Sequence, residues 1–194
     1  ETKDMSTDRF GGLPLGTGAI AGAGAYVLGY VFTYLLVGNE IRESAANQIV
    51  QAVGGQDMTY QAVGWVFYNA HFVSTVVDVN VPFFGGSGAM NVIAEAEAFS
   101  PILYLIPILL LLGAGLAVGR RTPGEQDYGD AVTAGATVVA GYLPLAVIGA
   151  FLVQVQSGGS SAGPDLLLGA VLAGVVYPAV LGAVGSVVAF ATQS

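Results

Sequence analysis

The sequence predicts an all-α membrane protein: a four-helix transmembrane bundle with an external insertion between helices 1 and 2. Residues 10–39, 98–119, 131–164 and 166–194 contain no Asp, Glu, Lys or Arg. Each stretch holds an apolar run long enough to cross a bilayer, which takes about 20 helical residues at about 1.5 Å each. Composition agrees. The chain is 54% hydrophobic, only 9% charged, and has a mean hydropathy of +0.71, whereas ordinary globular chains carry about 25% charged residues. A length of 194 residues suits one unit of four or five helices.

Residues 1–12 read as a cytoplasmic N-terminus, with Lys3 and Arg9 as a small basic region. Met5-Ser6-Thr7 reads as a natural start, with residues 1–4 an upstream extension. The first span is expected over 13–38, where Pro14 suits a helix start and Gly38-Asn39 offers a stop. A cleaved signal peptide is the rival reading. The apolar run is too long for a signal core and no small-x-small site follows it, so we read an uncleaved anchor.

Residues 39–99 are expected to form an external subdomain. Asn39 can cap a helix bearing Ile41, Ala45, Ile49 and Val53 on one face, ended by Gly54-Gly55. Asp57 can cap a second, carrying Tyr60, Trp65, Phe67, Tyr68 and Phe72. Val76, Val77, Val79 and Val81 read as extended chain, followed by a glycine-rich loop at residues 83–88. Segment 60–79 is apolar enough to tempt assignment as a fifth span, yet it includes Asn69, His71 and Asp78. Positive charge arbitrates. With four spans, Lys3, Arg9, Arg120 and Arg121 lie inside and only Arg42 outside. With five, Lys3 and Arg9 move out and Arg42 moves in. Four spans place more basic residues inside.

The second span, 100–119, opens at Ser100-Pro101 and stops at Arg120-Arg121. Residues 120–130 form a cytoplasmic loop whose Asp130 can cap the third span, 131–153. A Gly/Ser-rich external loop at 154–165 leads through Pro164-Asp165 into the fourth, 166–191. Both termini are then cytoplasmic, and the location is the plasma membrane.

Acidic residues number thirteen against five basic, for a net charge of −8, and Lys3 is the only lysine. Such a bias suits molar internal salt, where screening removes self-repulsion. The Gly/Ala/Val-rich helices, acidic loops and scarce lysine, together with GWVFYNAHFV at 64–73, resemble haloarchaeal multi-pass membrane proteins of unknown function. The resemblance implies a halophilic, archaeal, multi-pass chain. It brings no site residues.

The chemistry-bearing residues are few. There is no cysteine, so no disulfide or thiolate can be invoked. His71, Ser74 and Asp78 would share one face of a continuous helix, but three members on one face cannot surround a substrate as a hydrolase triad does. A single His argues against a transition-metal site. Glu95 and Glu97, with Asp57 and Asp78, can offer oxygen ligands to a hard cation; their spacing matches no EF-hand, and an acidic surface explains them as well. Gly22-Ala23-Gly24 lacks the strand context of a dinucleotide site. No basic patch suits nucleic acid. No ionisable residue lies within the four spans, whereas proton- and charge-coupled pumps keep one at membrane depth. No catalytic residue, cofactor or metal is therefore expected, and the chain reads as a non-enzyme.

Three residue sets remain. Gly18, Gly22, Tyr26, Tyr30 and Tyr34 share an i+4 row along the first span, either a groove for lipid or a close-packing face. In the last span Gly169/Ala173, Ala170/Gly174 and Gly182/Ser186 are small-xxx-small pairs, suited to joining helices of one chain or of two copies. Trp65, Phe67, Tyr68, Phe72, Phe83 and Phe84 are too apolar for water and are expected to form an external interaction surface. The expected function is a non-enzymatic interaction or accessory protein of the membrane, with lipids and either copies of itself or another membrane protein as partners. The alternative is a passive channel or transporter for a neutral solute, suggested by Tyr104/Pro107, Tyr142/Pro144 and Tyr177/Pro178 in three spans.

Overall fold

The computed structural model describes residues 13–45, 47–48, 55–81, 84–96, 99–122 and 127–193. Four helical stretches are long and apolar enough to cross a membrane: Leu15–Arg42, Pro101–Arg121, Tyr128–Leu152 and Leu166–Ala191. The chain is mostly helical but not all-α, because four strands form one sheet. That corrects the expected fold class. In TVVDVNV, β1 (Thr75–Val81) alternates valine with other residues at the period-2 spacing of a strand. Its partners are short or rich in Gly and Ser, and give no such pattern.

Helix α1 runs from Leu15 to Arg42, a turn beyond the expected stop at Gly38. No proline follows to end it, and Arg42 lies in the last turn, where a cation complements the helix dipole. Asn39, expected to cap a new helix, is instead within α1 and accepts a hydrogen bond from Arg42 at 3.3 Å. The helix expected to follow it falls partly on residues 46 and 49–54, outside the described residues.

Segment 60–79 resolves into α2 (Thr59–Asn69), a turn, and β1. At 11 residues, α2 is about 16 Å long, half a bilayer core. Past β2 (Phe84–Met90) and the short α3 (Val92–Glu95), the second spanning stretch opens as expected. Ser100 caps it, accepting from Ile102 N, with Pro101 at the first position. A 3-10 turn leads into α4 (Leu105–Arg121).

The third stretch begins one turn earlier than expected. Asp127, not Asp130, is the cap of α5 (Tyr128–Ala136), accepting from Asp130 N at 2.8 Å. Thr137 and Val138 interrupt the helix before α6 (Val139–Leu152). The Thr137 hydroxyl donates to Ala134 O at 2.6 Å, competing locally for a helix carbonyl. In the fourth stretch Asp165 caps α7 (Leu166–Leu168) through Leu168 N. Residues Gly169–Val176 are wound as a π-helix before α8 (Tyr177–Ala191). Pro178 accounts for the widening: it has no N–H, and its ring crowds the carbonyl four residues back.

The chain divides into two compact units. One holds residues up to Leu28 with Pro107–Ala146 and Gly174–Ser194; the other holds Gly29–Ile106 and Val147–Ala173. Glycine sets the close approach of helices in the first unit. A side chain at Gly115 or Gly135 would meet Gly182 O, one at Gly185 would meet Leu112 O, and one at Gly141 would meet Ala19 O.

The second unit carries the sheet, with strand order β2-β1-β4-β3 and antiparallel pairing throughout. β1 pairs with β2 from Thr75↔Met90 to Val81↔Phe84. On its other side it pairs with β4 (Ser160–Pro164), from Thr75↔Pro164 to Asp78↔Ser161. β3 (Val155–Ser157) closes the hairpin with β4. The expected external subdomain and the expected external loop at 154–165 therefore join in one sheet. Val37, Ile41, Val63, Val66, Ala70, Ile93 and Leu103 form the apolar core of this unit.

Candidate functional site

The residues with most chemical character lie where α2 turns into β1. Gly64 lets α2 come close to Val153, whose methyls occupy the space a side chain would need. Trp65, half-buried, donates from Nε1 to Val153 O at 2.8 Å. Phe67 and Tyr68 are 0% and 1% exposed. The Phe67 ring meets Tyr30, Tyr68 and His71 edge-on, with centroids 6.2, 5.6 and 4.9 Å away. Phe67 and Tyr68 thus belong to the interior, not to the expected interaction surface, because the subdomain has enough apolar mass to fold over them. Phe72 remains 59% exposed and stacks on Tyr104 at 4.8 Å. Its backbone is left-handed (φ 58°), a conformation that costs a bulky residue energy. Phe83 and the side chain of Phe84 lie outside the described residues.

Beneath the aromatic layer sits a polar junction. Asn69, fully buried, donates to Val73 O at 2.8 Å and Thr75 Oγ1 at 3.1 Å, and accepts from Val92 N at 2.7 Å. One amide therefore ties α2 to β1 and α3. Asn91 donates to Asn69 O, and its Oδ1 accepts from Ile93 N, Ala94 N and the Tyr104 hydroxyl. Glu95 reaches back to accept from Asn91 N at 3.0 Å, in the reciprocal manner of a capping box.

His71 is fully buried, and its Nδ1 lies 2.8 Å from Phe67 O. A carbonyl only accepts, so Nδ1 carries the proton. Burial lowers the imidazole pKa to about 4, against the opposing effect of the Phe67 hydrogen bond. The ring is neutral at ordinary pH. Folding that prefers neutral histidine is fully supported above the free value near 6.5 and loses that support as pH falls toward 4. The melting temperature should therefore drop between about pH 6.5 and 5, and His71→Asn, which keeps a donor for Phe67 O, should flatten that slope. An unchanged slope in the variant would refute the assignment.

Asp57 also holds the backbone in place. It accepts from Thr59 N, Thr59 Oγ1 and Asn47 Nδ2. These bonds, the Thr59 hydroxyl first, hold its pKa below the usual carboxylate value, with a smaller contribution from the Arg42 charge. His71, Ser74 and Asp78 do not share a helical face: Ser74 follows the turn after α2 and Asp78 lies on β1, opposite Ser87 and Ser161. Among the described residues no three His, Asp or Glu side chains are grouped to hold a metal. Glu97 lies outside them.

Among the described residues, the polar side chains of this junction hold backbone ends. The placement of the chain comes from its relatives. The chain belongs to DUF7978, a family of unknown function. The match covers residues 1–193, so both compact units are part of it. No curated protein and no solved structure matches the chain.

The two helix sets divide between the units. Gly18 and Gly22 lie against Thr137 and Val138, and Tyr26 meets Tyr142 edge-on at 5.3 Å. Those contacts fill the space a lipid would take. Tyr30 and Tyr34 serve the second unit. The Tyr30 hydroxyl donates to Tyr60 O, while Tyr34 stacks on Tyr60 and its hydroxyl accepts from Arg42 at 2.6 Å. In the last stretch a side chain at Gly182 would come 2.5 Å from Gly135 O, and Ser186 is buried beside Gly119. Gly174 faces Leu143, Gly169 faces Ala150 and Tyr68, and Ala173 is fully buried. Each of these contacts is made within one chain.

Asn69, Asn91 and the glycines Gly115, Gly135 and Gly141 carry more of the structure than the residues singled out from sequence. Asn69 had a visible signal, as the one amide in an otherwise aromatic and aliphatic run. Asn91, four residues ahead of Glu95, offered a weaker one.

Proposed function

We propose that this chain is a non-enzymatic integral membrane protein that acts by assembling with copies of itself or with other membrane proteins. The observation that carries the reading is the fate of its polar groups. Asn69, His71, Asn91 and Asp57 each hold a backbone end in place, and among the described residues we find no paired acid, base or nucleophile for chemistry. The exposed surface is apolar where the helices run: Ile20, Leu35, Leu109, Leu152 and Leu167 are each more than 60% exposed. Lipid covers such a surface without cost.

In this reading the membrane is the plasma membrane, the sheet is external and both termini are cytoplasmic. Arg120 and Arg121 at the end of α4 support the orientation, and Arg42 is the single basic residue of the sheet-bearing unit. Cysteines placed at Ser87, Ser160 and Thr192, in a chain with none of its own, test it. An impermeant thiol reagent should label 87 and 160 in whole cells and should reach 192 only after lysis. Labelling at 192 alone would reverse the orientation. The assembly itself is tested by cross-linking in native membranes, purification, and mass spectrometry of what is attached. Recovery of the chain alone, at monomer mass, would overturn the proposal.

A passive path for a neutral solute is the second reading. The π-wound segment Gly169–Val176, and an apolar groove of about 200 Å³ lined by Ile108, Val176, Tyr177, Val180 and Leu181, favour it. Solute-dependent swelling of proteoliposomes that exceeds that of empty vesicles would establish it in place of the first.

A further inference from the structure

We propose that two copies of this chain join by antiparallel pairing of β2 (Phe84–Met90) with β2 of the second copy, producing one continuous eight-stranded sheet. The inference rests on the assembly reading above and names the surface that would carry it.

The sheet has two edges, β2 and β3. β3 has three residues; β2 has seven, and all seven pair with β1 in unbroken register. Residues 85–90 are exposed, and among the described residues no hydrogen bond other than the β1 ladder engages them. Proteins usually protect an open edge with charge, proline, a bulge or shortness. The strand FGGSGAM has none of these.

Its occupant follows from charge and symmetry. The chain carries a net charge of −8, so two copies repel except where a surface is free of carboxylates. β2 itself carries no carboxylate. A two-fold centred on Ser87 places Phe84 opposite Met90, Gly85 opposite Ala89, Gly86 opposite Gly88 and Ser87 opposite itself. Small residues then face small residues along the shared edge. Glu95 accepts from Asn91 N just past the Met90 end, so its two copies fall at opposite ends of the shared edge, and the acid beside the centre is Asp78, directly opposite Ser87 on β1. Its counterpart would sit three strand spacings away, about 14 Å, beyond the screening length of about 10 Å at 0.1 M salt. The small-residue face of the last helix is not a rival seat, since Gly182 and Ser186 are occupied within the chain.

Ser87→Cys in the full-length chain, oxidised mildly in native membranes, tests the pairing. Position 87 should self-cross-link at least about tenfold more than Ala89→Cys, whose copies would lie about 13 Å apart, or Ser157→Cys on the other edge. Adding Gly86→Lys and Gly88→Lys, where a Cβ meets nothing within 4 Å, should abolish the cross-link without moving the melting temperature. Cross-linking strongest at 89 or 157 would overturn the register or the edge. A position-87 adduct with a different protein would overturn the choice of a second copy. No adduct at 87 from membranes that still yield an oligomer or a bound partner would sink the β2 proposal alone. No adduct and a lone monomer would sink the assembly reading with it.

Discussion

Asn69→Leu should destabilise the protein more than any other single polar replacement, by roughly 2–6 kcal/mol. The side chain is fully buried and serves Val73 O, Thr75 Oγ1 and Val92 N. Leucine fits the volume but leaves the Val73 carbonyl and the Val92 amide without that partner in a dry interior, each at about 1–3 kcal/mol. Three elements depend on this one amide, so the loss should spread. β1 should loosen from α2, and α3 should lose its anchor. Thermal unfolding in lipid or detergent, with amide exchange at β1 as a local readout, measures both. An Asn69→Leu protein that melts within a degree of the parent would show the junction to be decorative.

The second large effect should come from a pair of glycines two residues apart on α4. At Gly115 an added methyl would fall on the Gly182 carbonyl, backbone against backbone, with no flexible side chain to yield. Gly115→Ala should therefore force the helices apart and cost about 1–3 kcal/mol, the usual penalty of overpacking. At Gly113 nothing lies within 4 Å, and Gly113→Ala should be neutral or stabilise by up to about 1 kcal/mol through helix propensity. Opposite signs at neighbouring positions separate packing from composition. Equal melting temperatures for the two variants would contradict the packing described for the first unit.

The spanning helices were legible because their signal is additive. Twenty apolar residues need no partner to declare themselves, and Ser100-Pro101 marked one start through ordinary capping chemistry. The ends were less legible. Gly38 looked like a stop, yet glycine within a helix costs only about 1 kcal/mol, and the contacts of the turn beyond it, Arg42 with Tyr34 among them, outweigh that. The sheet was the larger loss. β1 showed its alternation, but a strand needs partners, and both are Gly/Ser-rich without hydrophobic pattern: β2 follows directly, while β4 is so distant in sequence that Thr75 pairs with Pro164. Exposure was the hardest to read. Phe67 and Tyr68 looked like surface because the groups that meet them, Tyr30 and Gly169 among them, come from distant parts of the chain. For the same reason the small-residue face at Gly182 read equally well as a contact between chains or within one.

In the proposed reading this chain works as part of an assembly. Its mass as it leaves the membrane tests that claim most directly. Native mass spectrometry of particles released from the source membranes without detergent exchange should give a multiple of the mass of one copy, or that mass plus that of a second protein. A single peak at the mass of one copy, unchanged across protein concentration and salt, would contradict the account.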